Sequence, residues 1–505
     1  MRHKPVRVVA AVAAFAMLAT ACGKDRDEAV TTTTAPPSSS AAATTAPQAT
    51  ETTAATPTTA GTDSTAGADT TVAAETTLPP EPDVPMFGDA PWPCSAGDGA
   101  NTDDGTEVGV TKDSINIASG DDAGYAGAPG LNHQITDAVK ALVAECNTLG
   151  GINGRQITLN YFDAKLLEVG PAVQAACDGG NFFLVGEGWA FDGNQEEIRL
   201  GCGLPAVPAY SVSAAFAMGK DVFQGLPNPA DETPAGIFAQ TKAVLGDAVL
   251  KVGTLVGNYS ATQETRDKVV AVAPEFGWGF ANTTLEYSIG GEADWTPLVK
   301  QLQDSGATAV SWSGSCLPNL QLFAQSAIAN GFNVPIITDA NHYEQTCAAA
   351  NTDGALDNLY LRMAFIPFEE ADVNPATKSY VDLVEGAGGD ISLLGAQATS
   401  SFLLWAQAAS DCGAALTRAC TLDNLKNTHN WTGHGLHAET DPGGNHPPSC
   451  NLLLHLTGTE YVRVAPTERG TFECDPTWVA KVEGVPALAA AKLDENRISQ
   501  QFSGN

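Results

Sequence analysis

The chain has 505 residues, with 58 acidic against 25 basic side chains and a formal net charge of −33 at neutral pH. A surface so poor in cations cannot displace counterions from phosphate, which argues against nucleic acid as a partner and against charge-driven adhesion to anionic headgroups. Apolar residues make up 43% of the sequence and aromatics 7%, enough for sizeable cores.

The chain opens with Arg2, Lys4 and Arg7. Val8 to Ala19 follows as an apolar run of about 12 residues, too short to cross a bilayer and the right size for an export signal. It closes on Leu18-Ala19-Thr20-Ala21-Cys22, which resembles a lipobox: small residues admit a lipoprotein signal peptidase, and the Cys22 thiol accepts diacylglycerol. Ala19 stands where that pattern usually has Leu, with Leu18 one step further out, so an ordinary secretory signal is the alternative. Both readings export the chain. No later stretch offers about 18 uninterrupted apolar residues, so lipid on Cys22 is the expected membrane attachment, at the extracytoplasmic face of a bacterial cell membrane. From about Ala29 to Pro82 the sequence is Thr, Ala, Pro, Ser and Gly with scattered acids. Such a stretch cannot bury enough apolar area to offset its ordering entropy, and is expected to be a disordered tether with a reach of roughly 40 Å.

After Cys94 short apolar runs alternate with amphipathic stretches. The pattern predicts a strand at Ile115 to Ala118, a helix from about Gly130 to Leu149 stopped by Gly150-Gly151, a strand at Ile157 to Phe162, a helix at Val169 to Cys177, and strands at Phe182 to Gly186 and Ala206 to Pro208. The rhythm restarts with strands at Val249 to Val256, Thr284 to Tyr287, Ala309 to Trp312 and Pro335 to Thr338, separated by helices at Thr262 to Phe276, Trp295 to Asp304 and Leu317 to Asn330. Two such series imply two doubly wound α/β lobes with parallel sheets. In open α/β sheets ligands bind beyond the carboxyl ends of the strands, which makes the loops there the candidate site.

Those loops carry Tyr125, then Glu187, Trp189, Phe191 and Asp192, then Tyr210, Ser211 and Ser213, and in the second series Tyr259, Ser260, Trp312 and Asp339. Aromatic walls with a few hydroxyls describe a small-molecule pocket; core packing is the competing role for each ring. Asp121 and Asp122, in the Gly-rich loop Ser119 to Gly127, read as solvated loop acids, and that loop lacks the Gly-x-Gly-x-x-Gly of a dinucleotide site. No Gly-x-Ser-x-Gly occurs. His429, His434, His437, His446 and His455 crowd one region, but His434 and His437 enclose no Glu, so surface histidines are expected there, with no metal site, no cofactor and no enzyme. Setting Cys22 aside leaves ten of the eleven cysteines, an even number for an oxidising compartment. Sequence does not fix their pairing. Local closure would join Cys177 to Cys202, Cys316 to Cys347, Cys412 to Cys420 and Cys450 to Cys474, leaving Cys94 and Cys146.

Gly109-Val110-Thr111-Lys112-Asp113-Ser114-Ile115, the Gly-rich loop, and Gly150-Gly151-Ile152-Asn153-Gly154-Arg155 before a strand and Phe162-Asp163 resemble the branched-chain amino-acid-binding (Leu/Ile/Val-binding) proteins, the type I periplasmic solute-binding proteins of ABC transporters. Pro318 to Gly331, Ala406 to Gly413 and Phe472-Glu473-Cys474 fit the same order, so the resemblance spans about residues 105 to 475. It implies two Rossmann-like lobes joined by a three-strand hinge, with crossovers near Pro227 to Pro234, Phe365 to Phe368 and Gly433 to Asp441. The expected layout is a signal at 1–22, tether at 23–82, lobe one at 83–230 and 366–435, lobe two at 231–365 and 436–480, and a tail at 481–505. By position the resemblance places Tyr125, Phe191, Tyr210, Ser211 and Tyr259 in the cleft and offers Asp339 as partner for a ligand amine. It further implies a monomer that passes an amino acid or another small polar metabolite to an ABC permease; a ligand-sensing receptor on the same fold is the alternative.

Overall fold

The computed structural model describes residues 84–102 and 106–500. The expected signal, tether and lipidated Cys22 lie outside the described residues.

Lobe one is built on a four-stranded parallel sheet: β1 (Ser114–Asp121), β2 (Gln156–Asp163), β3 (Phe183–Val185) and β4 (Ala206–Val207), in the order β2-β1-β3-β4. Helix α1 (Gln134–Thr148) follows β1 because Ile135, Ala138, Val139, Leu142 and Cys146 fall on one face at helical spacing, and that face is buried. It ends at Gly150 and Gly151, both at positive φ. Helices α2 (Val169–Asp178) and α3 (Glu196–Cys202) link the later strands.

Lobe two has a larger sheet. Its parallel part comprises β5 (Val252–Gly257), β6 (Phe280–Tyr287), β7 (Ala309–Ser313), β8 (Ile336–Thr338) and β9 (Leu359–Met363). Helices α4 (Gly236–Leu245) and α5 (Ser260–Val272) belong to one face, and α6 (Thr296–Ser305) and α7 (Gln321–Ala329) to the other. Strand alternation sorts the side chains. Val310 and Trp312 of β7 pack with Val299, Leu302 and Phe323 of α6 and α7, whereas Ala309 of β7 and Ile337 of β8 join Ile237 and Phe238 of α4 and Val272 of α5. The expectation of a wholly parallel sheet is corrected here. β10 (Cys450–Thr457) and β11 (Glu460–Ala465) extend it antiparallel, giving the order β11-β10-β9-β8-β7-β5-β6. A two-residue turn joins these strands, which only an antiparallel pair allows.

Between β9 and β10 the chain returns to lobe one with α8 (Pro375–Gly386), α9 (Leu393–Ser410) and α10 (Arg418–Lys426). The buried face of α9, with Phe402, Leu403 and Trp405, completes the lobe-one core beside α1. Crossing segments pair with one another: Glu232–Pro234 with Val479–Lys481, and Phe365 with His437. His437 and His434 are not on the surface, contrary to expectation. His437 lies buried between crossings, its Nε2 2.7 Å from Ser400 Oγ and its Nδ1 2.7 Å from the Ala438 carbonyl. Asp121 and Asp122 are likewise buried and not solvated. Tyr161 donates to Asp121 at 2.6 Å, and the backbone N–H groups of Leu166 and Ala190 donate to Asp122 at 2.9 Å each. The two acids brace the loop after β1 from inside.

Five disulfides join Cys94 to Cys146, Cys177 to Cys202, Cys316 to Cys347, Cys412 to Cys420 and Cys450 to Cys474. After the strand at 479–481, α11 (Pro486–Ala491) packs against Ala214 and Met218 of lobe one, and Arg497 grips Asp231 through both carboxylate oxygens at 2.8 and 2.6 Å. The segment 481–500 thus straps the first crossing and does not hang free.

Candidate functional site: the inter-lobe cleft

A cavity of about 550 Å³ opens where the carboxyl ends of both parallel sheets meet, within the range of small-molecule sites. Lobe one contributes Tyr125 and the loop after it, with Tyr210 and Ser211 beyond β4. Lobe two contributes Tyr259 beyond β5, Tyr287 at the end of β6, Trp312 of β7 and Asp339 beyond β8. Each residue sits where a strand releases the chain, which is why aromatics otherwise destined for a core can present an edge to a guest. Gly314 follows β7 at φ +153°, and a Cβ there would overlap the Tyr287 hydroxyl, so glycine is required for this turn to close over the ring.

Of the sequence-predicted residues, Tyr125, Tyr210, Ser211, Tyr259, Trp312 and Asp339 line the cavity, while Trp189 and Phe191 do not. Trp189 is almost wholly buried in the lobe-one core with Val173, Leu184 and Phe216. Phe191 packs partly on that core, and its ring lies 5.8 Å from that of Tyr259 across the gap between lobes. Ser211 is committed: its hydroxyl donates to Gln224 Oε1 at 2.8 Å. Trp312 stacks between Tyr287 (4.8 Å, 13°) and Phe323 (5.4 Å, 24°), so it serves as a rigid wall. Asp339 accepts from Arg362 Nε at 2.9 Å and is not a free acid.

Sequence reasoning missed the cations. Arg266 and Lys268 of α5 and Arg362 of β9 all line the cavity. An arginine inside the apolar strand Leu-Tyr-Leu-Arg-Met was the available signal, since a charge in such a run must find a partner or a polar space. Lys268 Nζ donates to the Pro229 carbonyl at 2.6 Å and to Asn228 Oδ1 at 3.2 Å. Burial, with Arg362 nearby, pulls its ammonium down to about 8. The phenol of Tyr259 is pushed up to about 12 by burial, so it remains a neutral donor. Glu344, also on the wall, is raised by burial to about 7. Its neighbours Cys316 and Cys347 are tied to each other in a disulfide, so no thiolate is offered to a metal there.

Contacts across the gap occur away from the crossings as well. The Ala214 N–H of lobe one donates to Glu264 Oε2 of α5 at 2.9 Å, and Leu393 N–H donates to the Tyr343 carbonyl at 3.0 Å. Behind the lobe-one wall, Asp192 accepts from the N–H groups of Val212 and Ser213, and burial still raises its carboxyl to about 7. Glu187 is fully buried, and among the described residues none donates a hydrogen bond to either of its carboxylate oxygens; burial raises its carboxyl to about 8, against a smaller pull from its own N–H and Arg199.

The family model for periplasmic binding proteins matches residues 119–458. The chain belongs to that family. No curated protein matches. Among solved structures, this periplasmic binding protein is similar in fold to a fatty acid ABC transporter substrate-binding protein from Thermomonospora curvata, at 16% identity and TM-score 0.59, covering 72% of this chain and 98% of that one. It is similar to the branched-chain amino acid transporter substrate-binding protein LivJ from Streptococcus pneumoniae in complex with isoleucine, at 16% identity and TM-score 0.56, covering 73% and 99%. A third is an ABC transporter solute-binding protein from R. palustris in complex with 4-hydroxybenzoate, at 14% identity and TM-score 0.57, covering 74% and 99%. No helix among the described residues is long and apolar enough to cross a membrane.

Proposed function

We propose that this periplasmic binding protein is the solute receptor of an ABC importer, held at the outer face of the cell membrane by lipid on Cys22. The observation that carries the reading is the cavity of about 550 Å³ lined from both lobes, at the carboxyl ends of two parallel sheets linked by crossing strands. A guest there touches both halves, so binding free energy goes into closing them, and the closed form is what a permease recognises. The structural neighbours named for fatty acid, isoleucine and 4-hydroxybenzoate support a small organic solute as guest. The layout runs as a signal at 1–22, a tether at 23–82, and then the two lobes with a strapped C-terminal segment.

The test is thermal unfolding of residues 83–505 with amino acids, organic acids and amides. A ligand at a hundredfold its Kd stabilises by about 2.7 kcal/mol, which in a unit of this size raises the melting temperature by about 3 °C. A raised melting temperature and a reduced radius of gyration in solution scattering with one solute class support the reading. No response to any class contradicts it.

A further inference from the structure

Three observations bear on what the cleft accepts, on the premise that it is a solute site. The first is its shape. The cavity does not stop between the lobes. It continues over the lobe-two sheet, beneath α4 and α5, where Ile237, Phe238, Val269, Trp278 and Ile337 line it. The cause lies in β7. On this face the strand presents Ala309, Ser311 and Ser313, while its bulky Val310 and Trp312 turn to α6 and α7. Small side chains under two helices leave a slot walled by apolar groups and far larger than water needs.

The second observation is charge. On the cavity wall Arg266 is tied to Asp267 and Glu286 and Arg362 to Asp339, which leaves Lys268 and Glu344 as the wall charges outside these ion pairs. Asp339 is paired with Arg362, and Glu344, raised to about 7, is half neutral near physiological pH. An α-amino acid therefore has Glu344 as its wall acid outside an ion pair among the described residues, and must hold that buried carboxyl ionised. The third observation is Lys268 itself. It meets only neutral oxygens, those of Pro229 and Asn228, and none of the ion pairs among the described residues includes it. Glu264, Asp231 and Asp339 lie close enough to act on it but none bonds it, so an anionic ligand can supply the direct charged partner.

We propose that the ligand is an amphipathic monocarboxylate with an extended aliphatic tail, its head held by Lys268 beside Arg362 and its tail laid between the lobe-two sheet and helices α4 and α5. A carboxylate satisfies the lysine, and a flexible chain fills the slot that a compact solute leaves empty. The apolar tail accounts for the size of the cavity, and Lys268, outside those ion pairs, for the place of the head.

Isothermal titration of residues 83–505 with straight-chain alkanoates from butanoate to dodecanoate, with octanol, 4-hydroxybenzoate and leucine beside them, tests this. Affinity should rise roughly fourfold per added methylene until the slot is full, the change that follows from burying one CH₂. Lys268→Gln should weaken octanoate by about tenfold or more, as for loss of a charged hydrogen bond, and leave octanol unchanged. Ser311→Leu, which fills the slot from the sheet, should weaken decanoate at least tenfold and spare butanoate. Should that variant fail to fold, the chain-length series and the octanoate–octanol comparison still decide. Affinity independent of chain length, or equal losses for octanoate and octanol in Lys268→Gln, would overturn the proposal. Leucine or 4-hydroxybenzoate binding while alkanoates do not would overturn it and leave the receptor reading intact; silence from every compound would overturn both.

Discussion

Glu187 gives the sharpest thermodynamic test of the structure. It lies at the end of β3, fully buried, with a carboxyl raised by burial from 4.5 to about 8. Its sign is opposite to that of a salt-bridged acid. Above pH 4.5 the unfolded chain releases a proton that the folded chain keeps, so stability is undiminished below that value and falls as pH rises towards about 8. Between pH 5 and pH 7 the loss is about 2–3 kcal/mol. Glu187→Gln keeps shape and polarity and removes the titration. The variant should be close to wild type at pH 5 and more stable by about 2–3 kcal/mol at pH 7, or about 3 °C in melting temperature. Urea unfolding of both proteins across pH 4.5–8 measures this. Asp192 titrates in the same window and its charge adds to the rise at Glu187, so both proteins are compared in an Asp192→Asn background. Parallel stability profiles for the two proteins would refute a dry, neutral carboxyl at this position.

Other predictions concern closure, covalent bracing and the cleft. Glu264→Ala removes the acceptor for the Ala214 N–H across the gap; a charged hydrogen bond contributes about 1.5–3 kcal/mol, so the unliganded protein should shift towards open forms, read as a larger radius of gyration. Replacing Cys94 and Cys146 together by Ser frees a loop closed over 52 residues, and chain entropy alone predicts a loss of about 4 kcal/mol in denaturant unfolding. Binding of an organic anion should weaken as pH rises through about 8, where Lys268 loses its charge among Arg362, Glu264, Asp231 and Asp339; titrations at pH 6.5 and 9.5 check it.

The two α/β series were legible because strand and helix periods differ, and the chain punctuates them with Gly at helix ends such as Gly150-Gly151. The antiparallel β10 and β11 were not read as strands, since Asn451 and His455 interrupt their apolar pattern and no helix follows them. Strand-end position placed Tyr125, Tyr210, Tyr259 and Asp339 on the cavity wall. It failed for Trp189, which follows β3 yet turns inward to the lobe-one core. Asp121 and Asp122 misled for a related reason: loop acids usually face water, and here neighbouring backbone N–H and hydroxyl donors supply what water would. Lys268 went unseen because its role depends on which crossing lies opposite, which local sequence does not encode, whereas Arg362 left a signal as a charge inside an apolar strand.

The central claim is that a solute is enclosed between the lobes. Crystals of residues 83–505 grown with the solute that gives the largest thermal shift test it most directly. The expected result is density touching Tyr210 on one side and Tyr259 on the other, with the gap narrowed around it. Density on an outer surface, beside a cleft unchanged in width and empty, would contradict it.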